Sequence, residues 1–124
     1  MTAAYLWLNV VLYAVFSAWC TLKPTETARA IGYAALEGGG RSEYLVVYGG
    51  LQLGLAVAYA MFAMHPHWHR VGLLFSLATY AAIVLFRIVT LWLYAPVPAL
   101  TWCVAALELA LLVGAAALLL TRQP

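Results

Sequence analysis

Arg87 and Glu108 have the chemistry to form a functional site, because each lies in a segment otherwise apolar enough to cross a membrane. A charged side chain in the hydrocarbon layer costs about 2.5–3.5 kcal/mol on insertion scales, so it usually faces a protein interior or a wet cavity and has a partner. Together the two residues indicate oxygen or anion binding, or proton exchange. The structural alternative is an ion pair that only fixes helix register.

Helix geometry predicts that these two side chains meet. At a rise of about 1.5 Å per residue, Arg87 lies roughly 8–9 Å, and Glu108 roughly 15 Å, from the same membrane face. Side chains lean toward the N-terminus of their own helix. The two helices run in opposite directions, so Arg87 and Glu108 lean toward each other. We therefore expect an ion pair, rather than an Arg87 side chain that snorkels to the headgroups.

Further polar residues lie near the same depth or closer to the same face. We expect a polar cavity that opens to that face and is walled by tyrosines. Its ligand-binding residues are predicted to be Arg87, Glu108, Gln52, Tyr48, Glu43 and Tyr80. We assign no catalytic residue and no metal ligand, and the sequence does not identify a cofactor.

The composition places these residues in a membrane protein. Of the 124 residues, 67% are hydrophobic and 8% are charged, whereas soluble domains carry roughly 25% charged residues. Each of four apolar segments has the roughly 20 residues that a membrane-spanning helix needs. The segments are Ala3–Leu22, Tyr44–Met64, Val71–Trp92 and Pro98–Leu120. We predict an all-α membrane protein, with residues 1–124 forming a single four-transmembrane-helix bundle.

Each segment carries a polar or aromatic stripe at helical spacing, which should face inward in lipid. The stripes are Tyr5, Asn9, Tyr13, Phe16 and Cys20 in the first segment, Tyr44, Tyr48, Gln52 and Tyr59 in the second, Ser76, Tyr80, Arg87 and Tyr94 in the third, and Thr101 and Glu108 in the fourth. These stripes would build the interior of the bundle.

The connection Lys23–Glu43 is the longest. Pro24 suits a first helical turn, with Glu26 near the positive end of the helix. We predict a short amphipathic helix between the first two spanning helices, ended by the glycines of 38–40. The other connections are short, so the second and third helices, and the third and fourth, should be antiparallel neighbours.

Charge gives a weak indication of orientation. Lys23, Arg29 and Arg41 lie at one membrane face, here named side B, and Arg70 and Arg122 lie at the other, side A. The positive-inside rule favours side B facing the cytoplasm, and a dual-topology dimer is the alternative. The net charge is +2 without a basic block, which gives no support for nucleic-acid binding.

Gly50, Gly54 and Ala58 form a small-xxx-small pattern that permits close contact between helices. We expect this face to pack against the first helix, and packing against a second copy of the chain is the alternative. The pattern bears on architecture and oligomerisation, and not on chemistry.

The histidines and cysteines give weaker signals. His65, His67 and His69 flank Pro66 and Trp68, which favours an interfacial loop over a metal site. Cys20 and Cys103 form no C-x-x-C motif. We interpret them as two inert thiols, with pairing in an oxidising compartment as the alternative.

Arg41-Ser42-Glu43 followed by Tyr48-Gly49-Gly50-Leu51 at the opening of a transmembrane helix resembles a family of small bacterial four-helix membrane proteins in the DoxX-like group. The likeness extends to the long first connection, the late arginine and the glutamate of the last helix. It implies that Glu43, Tyr48, Gly49, Gly50, Arg87 and Glu108 are characteristic positions. Members often carry a second arginine where this chain has Leu45. The family has no assigned activity, so the likeness implies none.

These observations favour an integral protein of the bacterial inner membrane that binds a small amphiphile such as a quinone, an isoprenoid or a lipid. Its expected partners are membrane lipids and this ligand, and a homo-oligomer is an open alternative. The alternative functions are a small proton-coupled transporter and a structural or accessory membrane subunit. Whether the chain is an enzyme is left open.

Overall fold

The computed structural model describes residues 1–34 and 36–121, which form helices joined by short turns. We number the helices α1 (Thr2–Leu22), α2 (Pro24–Ala30), α3 (Gly38–Met64), α4 (His69–Tyr94) and α5 (Ala99–Leu120). All except α2 belong to the four segments that are long and apolar enough to span a membrane. The predicted fold class is therefore confirmed. The helices α3 and α4 begin earlier than predicted, because their first turns extend beyond the apolar segments.

The short helix α2 begins at Pro24 with Glu26 in its first turn, as predicted. The prediction that the glycines of 38–40 end it was wrong. Gly32, which has a φ of +97°, already turns the chain after Ala30, and glycine adopts this conformation without strain. The three glycines instead form the first turn of α3.

Residues Leu45–Leu51 of α3 form a π-helical segment between two α-helical parts. Ser17 of α1 donates a hydrogen bond from Oγ to the Gly49 carbonyl over 2.8 Å. A Cβ atom at Gly49 would lie 2.7 Å from Thr21 Oγ1, so glycine is what allows α3 to approach α1 this closely. Short π segments are frequent at functional sites.

The expected packing of Gly50 and Gly54 against the first helix was wrong. Both glycines are exposed, and a Cβ atom at either would have no neighbour within 4 Å among the described residues. The helix α3 turns its Gly49 and Tyr59 face toward α1, because a tyrosine hydroxyl avoids lipid whereas the glycines expose no polar side chain. The small-residue face consequently points away from the bundle.

The spanning helices pack mainly as two pairs, α1 with α3 and α4 with α5. The buried residues of α4 lie between His69 and Tyr80, and those of α5 are Leu111 and Ala115. All of them are in the halves of these helices nearer side A. From 81 to 110, the described part of the chain contains no buried residue. The α4–α5 hairpin therefore joins the bundle core through its side-A half.

The turn between α3 and α4 is a single 3-10 turn, Pro66–Trp68. His65 Nδ1 lies 2.8 Å from the Met61 carbonyl oxygen, and His69 Nε2 lies 3.2 Å from that of Ala63. Carbonyl groups at a helix C-terminus lack partners within the helix. These two histidines therefore cap the end of α3 from the interfacial turn.

Candidate functional site

Arg87 and Glu108 form a two-pronged ion pair between the neighbouring antiparallel helices α4 and α5. Arg87 Nε donates to Glu108 Oε2 over 2.8 Å, and Arg87 Nη2 donates to Oε1 over 2.7 Å. Bidentate guanidinium–carboxylate pairs of this kind are among the stronger hydrogen-bonded contacts in proteins. The predicted pairing of the two side chains is confirmed.

The ion pair is electrically neutral but does not use all of its hydrogen-bonding capacity. Both Glu108 oxygens accept from Arg87, whereas Nη1 of the guanidinium bonds no residue that the structure describes. The Arg87 side chain is 30% exposed and that of Glu108 is 13% exposed. In a bilayer an exposed N–H group needs an acceptor, because the hydrocarbon offers none. The unbonded N–H groups of Arg87 can bind an oxygen atom from outside this pair.

Tyrosines from the other helix pair approach the ion pair. Tyr48 of α3 lies within electrostatic range of Arg87, and Tyr13 of α1 lies within electrostatic range of Glu108. Tyr13 was not among the predicted ligand-binding residues. Its place in the α1 stripe, four residues after Asn9, is the sequence signal that could have found it.

Tyr48 also connects the ion pair to the side-B end of the bundle, through a cluster of three tyrosine rings. The rings of Tyr44 and Tyr48 stack with centroids 4.6 Å apart. Tyr33 lies edge-on to both rings, and its hydroxyl is 3.4 Å from that of Tyr48. Tyr44 and Tyr48 belong to the polar stripe predicted for this helix, whereas Tyr33 was not among the predicted residues. The polar cavity expected at the ion pair stays a prediction.

The helix α2 covers this tyrosine cluster. Tyr44 donates a hydrogen bond to Thr27 Oγ1 over 2.8 Å, and Pro24, Thr27 and Ala28 of α2 are buried. A cavity of about 160 Å³ lies beside α2 and is lined in part by Arg29 and Tyr33. The short helix thus folds back onto the end of the bundle.

The remaining predicted ligand-binding residues are not joined to the ion pair. Gln52 is half-buried, and its Nε2 donates to the Val47 carbonyl of its own helix over 3.4 Å. Glu43 is exposed and forms no ion pair with any described residue. Tyr80 is buried and donates to Asn9 Oδ1, so it belongs to another group of polar residues.

That group, which we name the core hydroxyl cluster, lies toward side A. Its members are Tyr5, Asn9, Tyr59, Ser76 and Tyr80. Asn9 accepts from Tyr80 and donates from Nδ2 to the Tyr5 carbonyl over 2.8 Å. The Tyr5 hydroxyl donates to the Leu111 carbonyl over 2.8 Å. These bonds connect α1 with both helices of the α4–α5 hairpin.

The inward orientation expected for the helix stripes has one clear exception. Tyr94 is 71% exposed, because it lies in the last turn of α4, where the hairpin has no buried residues. A tyrosine at a helix end suits the interfacial aromatic belt. Tyr94 therefore does not line the candidate site.

The two cysteines lie in different environments and do not form a disulfide. Cys20 is buried, with its Sγ 3.6 Å from the Tyr44 hydroxyl oxygen, whereas Cys103 is exposed on α5. Among the described residues, histidine, cysteine and carboxylate side chains form no group of three that could hold a metal ion.

Comparison with known proteins identifies a family but no activity. No curated protein and no solved structure shows significant similarity to the chain. One family model, described as a domain of unknown function (DUF4345), matches residues 1–120. This match covers nearly the whole chain, and the four apolar helices are those of an integral membrane protein. The chain therefore belongs to the DUF4345 family.

Proposed function

We propose that this protein binds a small amphiphile, such as a quinone, an isoprenoid or a lipid, at the Arg87–Glu108 pair. The observation that carries the proposal is the partly exposed guanidinium, whose remaining N–H groups bond no described residue. It lies in the part of α4 and α5 that buries no side chain among the described residues. A polar group there needs a ligand or a neighbouring molecule to satisfy it.

The chemistry of the pair favours a neutral oxygen over a free anion. Glu108 already neutralises the charge of Arg87, so an incoming anion would meet no net positive charge. A carbonyl or hydroxyl oxygen can accept from Nη1 without disturbing the ion pair. Tyr48 lies within electrostatic range of Arg87, and we include its hydroxyl in the proposed site as a second contact for the headgroup. In this proposal Glu108 orients the guanidinium and Arg87 binds the ligand.

The apolar part of the ligand would lie along the α4–α5 hairpin. Large side chains are exposed around the ion pair on both helices, among them Leu85, Phe86, Trp102 and Leu107. Ligand sites are mostly apolar and contain a few well-placed polar groups. The hairpin has this composition near Arg87, which supports an amphiphile with a single polar end.

Native mass spectrometry of the gently solubilised protein tests the proposal. The matched variant replaces both charges, Arg87→Gln with Glu108→Gln, so that no unpaired charge is left behind. We expect a discrete adduct on the wild type that the variant loses, and an unchanged adduct on a Tyr94→Phe control. Identical adduct-free spectra from wild type and a folded variant would contradict the proposal.

An accessory subunit of a larger membrane assembly is the second candidate. The partly exposed Arg87 side chain favours it, since an acceptor on a partner helix would satisfy the remaining N–H groups. In that case the adduct would be a protein rather than a small molecule, and replacing the ion pair would release the partner.

We also propose the bacterial inner membrane as the location and the DoxX-like group as the wider family. The resemblance around Tyr48-Gly49-Gly50 supports both assignments. The side with Lys23, Arg29 and Arg41 would face the cytoplasm. Labelling of a Lys23→Cys variant with a membrane-impermeant thiol reagent, compared between intact and inverted vesicles, tests this orientation.

A further inference from the structure

The cavity of about 160 Å³ beside α2 is lined by two charged side chains of opposite sign, Arg29 and Glu37. Neither forms an ion pair with a residue that the structure describes, and they do not pair with each other. Lys23 and Glu26, at the start of α2, instead bond each other over 3.1 Å. The cavity therefore offers one positive and one negative group to a ligand.

Contacts with the rest of the protein hold the walls of this cavity in place. Tyr44 bonds Thr27 on the buried face of α2. The backbone N–H of Tyr33 donates to the Ala28 carbonyl over 2.9 Å, which folds the chain back after the helix. The Tyr33 ring lies edge-on to that of Tyr44, with centroids 6.0 Å apart. Because these contacts lie within the protein, the cavity is formed without a ligand.

The volume and the lining of the cavity suit a small polar group. A cavity of about 150 Å³ is large enough to hold a molecule of benzene. Thr25 and Tyr33 line the cavity together with Arg29, and each carries a hydroxyl group that can donate a hydrogen bond. Ala28 and Leu36 add apolar surface. The cavity thus has the size and the donors to bind a headgroup rather than a long chain.

The two charges select the class of ligand. A free anion would be attracted to Arg29 and repelled by Glu37, and a free cation would experience the reverse. A neutral molecule would gain from neither charge. A zwitterion can place its anionic end at Arg29 and its cationic end at Glu37, so that both charges attract it. The lining therefore favours a zwitterionic group.

The position of the cavity narrows this class to lipid headgroups. The helix α2 directly follows the spanning helix α1 and covers the side-B end of the bundle. The polar headgroups of a bilayer lie at this level, outside the hydrocarbon core.

The carboxylate of Glu37 distinguishes between the common zwitterionic headgroups. A primary ammonium has three N–H donors for a carboxylate, whereas a quaternary ammonium has none and is recognised by cages of aromatic rings. Among the described residues that line the cavity, Tyr33 is the one aromatic residue. The cavity therefore fits a phosphoethanolamine group better than a phosphocholine group.

We propose that the cavity beside α2 is a second binding site, which holds a phosphoethanolamine group with its phosphate at Arg29 and its ammonium at Glu37. The group belongs either to a membrane lipid or to a soluble diester with the same headgroup. The site is separate from the Arg87–Glu108 pair, and it stands whether or not that pair binds an amphiphile.

Native mass spectrometry of the solubilised protein, titrated with single lipids of matched acyl chains, tests the site. The lipids are phosphatidylethanolamine, phosphatidylcholine and phosphatidylglycerol. We expect phosphatidylethanolamine to bind about tenfold more tightly than the other two, because only its headgroup makes hydrogen-bonded contacts with both charges. Equal affinity for the three lipids would overturn the proposal.

Two substitutions of exposed side chains test the role of each charge. Arg29→Gln should weaken phosphatidylethanolamine binding about tenfold. Glu37→Gln should remove the preference over phosphatidylglycerol, because the carboxylate that attracts the ammonium and repels the anionic lipid is gone. Arg41→Gln and Glu26→Gln change the same charges outside the cavity, and they should leave the preference unchanged. A preference that both cavity variants retain, or that the controls reduce equally, would overturn the proposal.

A soluble competitor identifies the source of the group. Glycerophosphoethanolamine carries the same diester headgroup without acyl chains. If it displaces phosphatidylethanolamine, the headgroup alone is sufficient for binding. If it does not, the acyl chains contribute and the ligand is a lipid. Either result, together with the dependence on Arg29 and Glu37, supports the site.

The ion-pair variant separates this proposal from the proposed function. Arg87→Gln with Glu108→Gln should keep the preference for phosphatidylethanolamine, whether or not it loses the adduct expected at the ion pair. Loss of the preference in this variant, while it remains folded, would overturn the assignment of the headgroup to the cavity.

Discussion

Ser17 of α1 donates a hydrogen bond to the carbonyl of Gly49 in α3, over a distance of 2.8 Å. This bond lies inside the π-helical segment and holds the two helices closest where Gly49 has no side chain. The helix contact therefore places the Tyr48 side chain, which belongs to the same segment, toward the ion pair and the side-B tyrosines. The Tyr48-Gly49-Gly50 motif thus combines a site residue with the contact that positions it.

Replacing Gly49 with alanine should destabilise the bundle, because the new Cβ atom would lie 2.7 Å from Thr21 Oγ1. Overpacking of this kind costs about 1–3 kcal/mol. Gly50→Ala is the matched control and should have little effect, since its Cβ would meet no described neighbour within 4 Å. Equilibrium unfolding in a detergent series measures both variants.

A second substitution tests the cause of the Gly49→Ala effect. Thr21→Ala removes the hydroxyl and leaves only Thr21 Cβ, at 3.9 Å, which is ordinary contact. The double variant should therefore recover most of the lost stability. A Gly49→Ala protein that is not rescued by Thr21→Ala would show that the close approach is not the source of the loss.

Breaking the ion pair from one side should cost more than removing it entirely. Arg87→Leu or Glu108→Leu leaves one charge unpaired, which costs about 3–5 kcal/mol for a buried pair. Here 30% of the Arg87 side chain is exposed, so the lower end of this range applies. The variant with both leucines should recover most of that loss. Thermal unfolding, followed by circular dichroism, measures the stability of all four proteins. A double variant that is less stable than both single variants would contradict this prediction.

The tether between Tyr44 and Thr27 should hold α2 against the bundle. Tyr44→Phe removes its hydrogen bond to Thr27 Oγ1, worth about 1 kcal/mol, and keeps the stacked ring. Hydrogen exchange in residues 24–30 should then speed up while exchange in the spanning helices stays the same. Tyr33→Phe is the control, since its contact with Tyr48 is longer and exposed. Unchanged exchange in α2 would argue against the tether.

The capping histidine His69 should contribute more to the stability of the protein than the exposed His67 of the same turn. His69 is buried and lies within hydrogen-bonding distance of the Ala63 carbonyl, whereas His67 is exposed and bonds no described residue. His69→Ala should therefore lower the free energy of unfolding by about 1 kcal/mol, and His67→Ala should not change it. Equal effects from the two variants would contradict the cap.

The sequence predicts the spanning helices and the ion pair because both follow from rules that act along a single helix. Charge at membrane depth and the lean of side chains are enough to bring Arg87 and Glu108 together. The start of α2 at Pro24 follows from its missing N–H group. These features need no knowledge of how the helices pack.

Features that depend on packing between helices cannot be predicted from rules that act along a single helix. Gly49 and Gly50 are adjacent, so periodicity does not reveal which of them meets α1, and nothing in the sequence marks the π-helical segment. The packing of Tyr59 against Tyr13 and Phe75 involves two other helices, so it cannot be predicted from one stripe. The absence of buried residues in the side-B half of the α4–α5 hairpin depends on how this hairpin packs against α1 and α3. No pattern along a single helix predicts that packing.

The two charged partners of the ion pair are 21 residues apart in one helical hairpin, and this has a consequence for how the chain enters the membrane. Each charge alone makes insertion of its helix less favourable. When α4 and α5 enter together, the two partners neutralise each other within the hairpin and need no group from α1 or α3. The hairpin is therefore suited to insert into the bilayer as one unit, because it contains both charges of the ion pair.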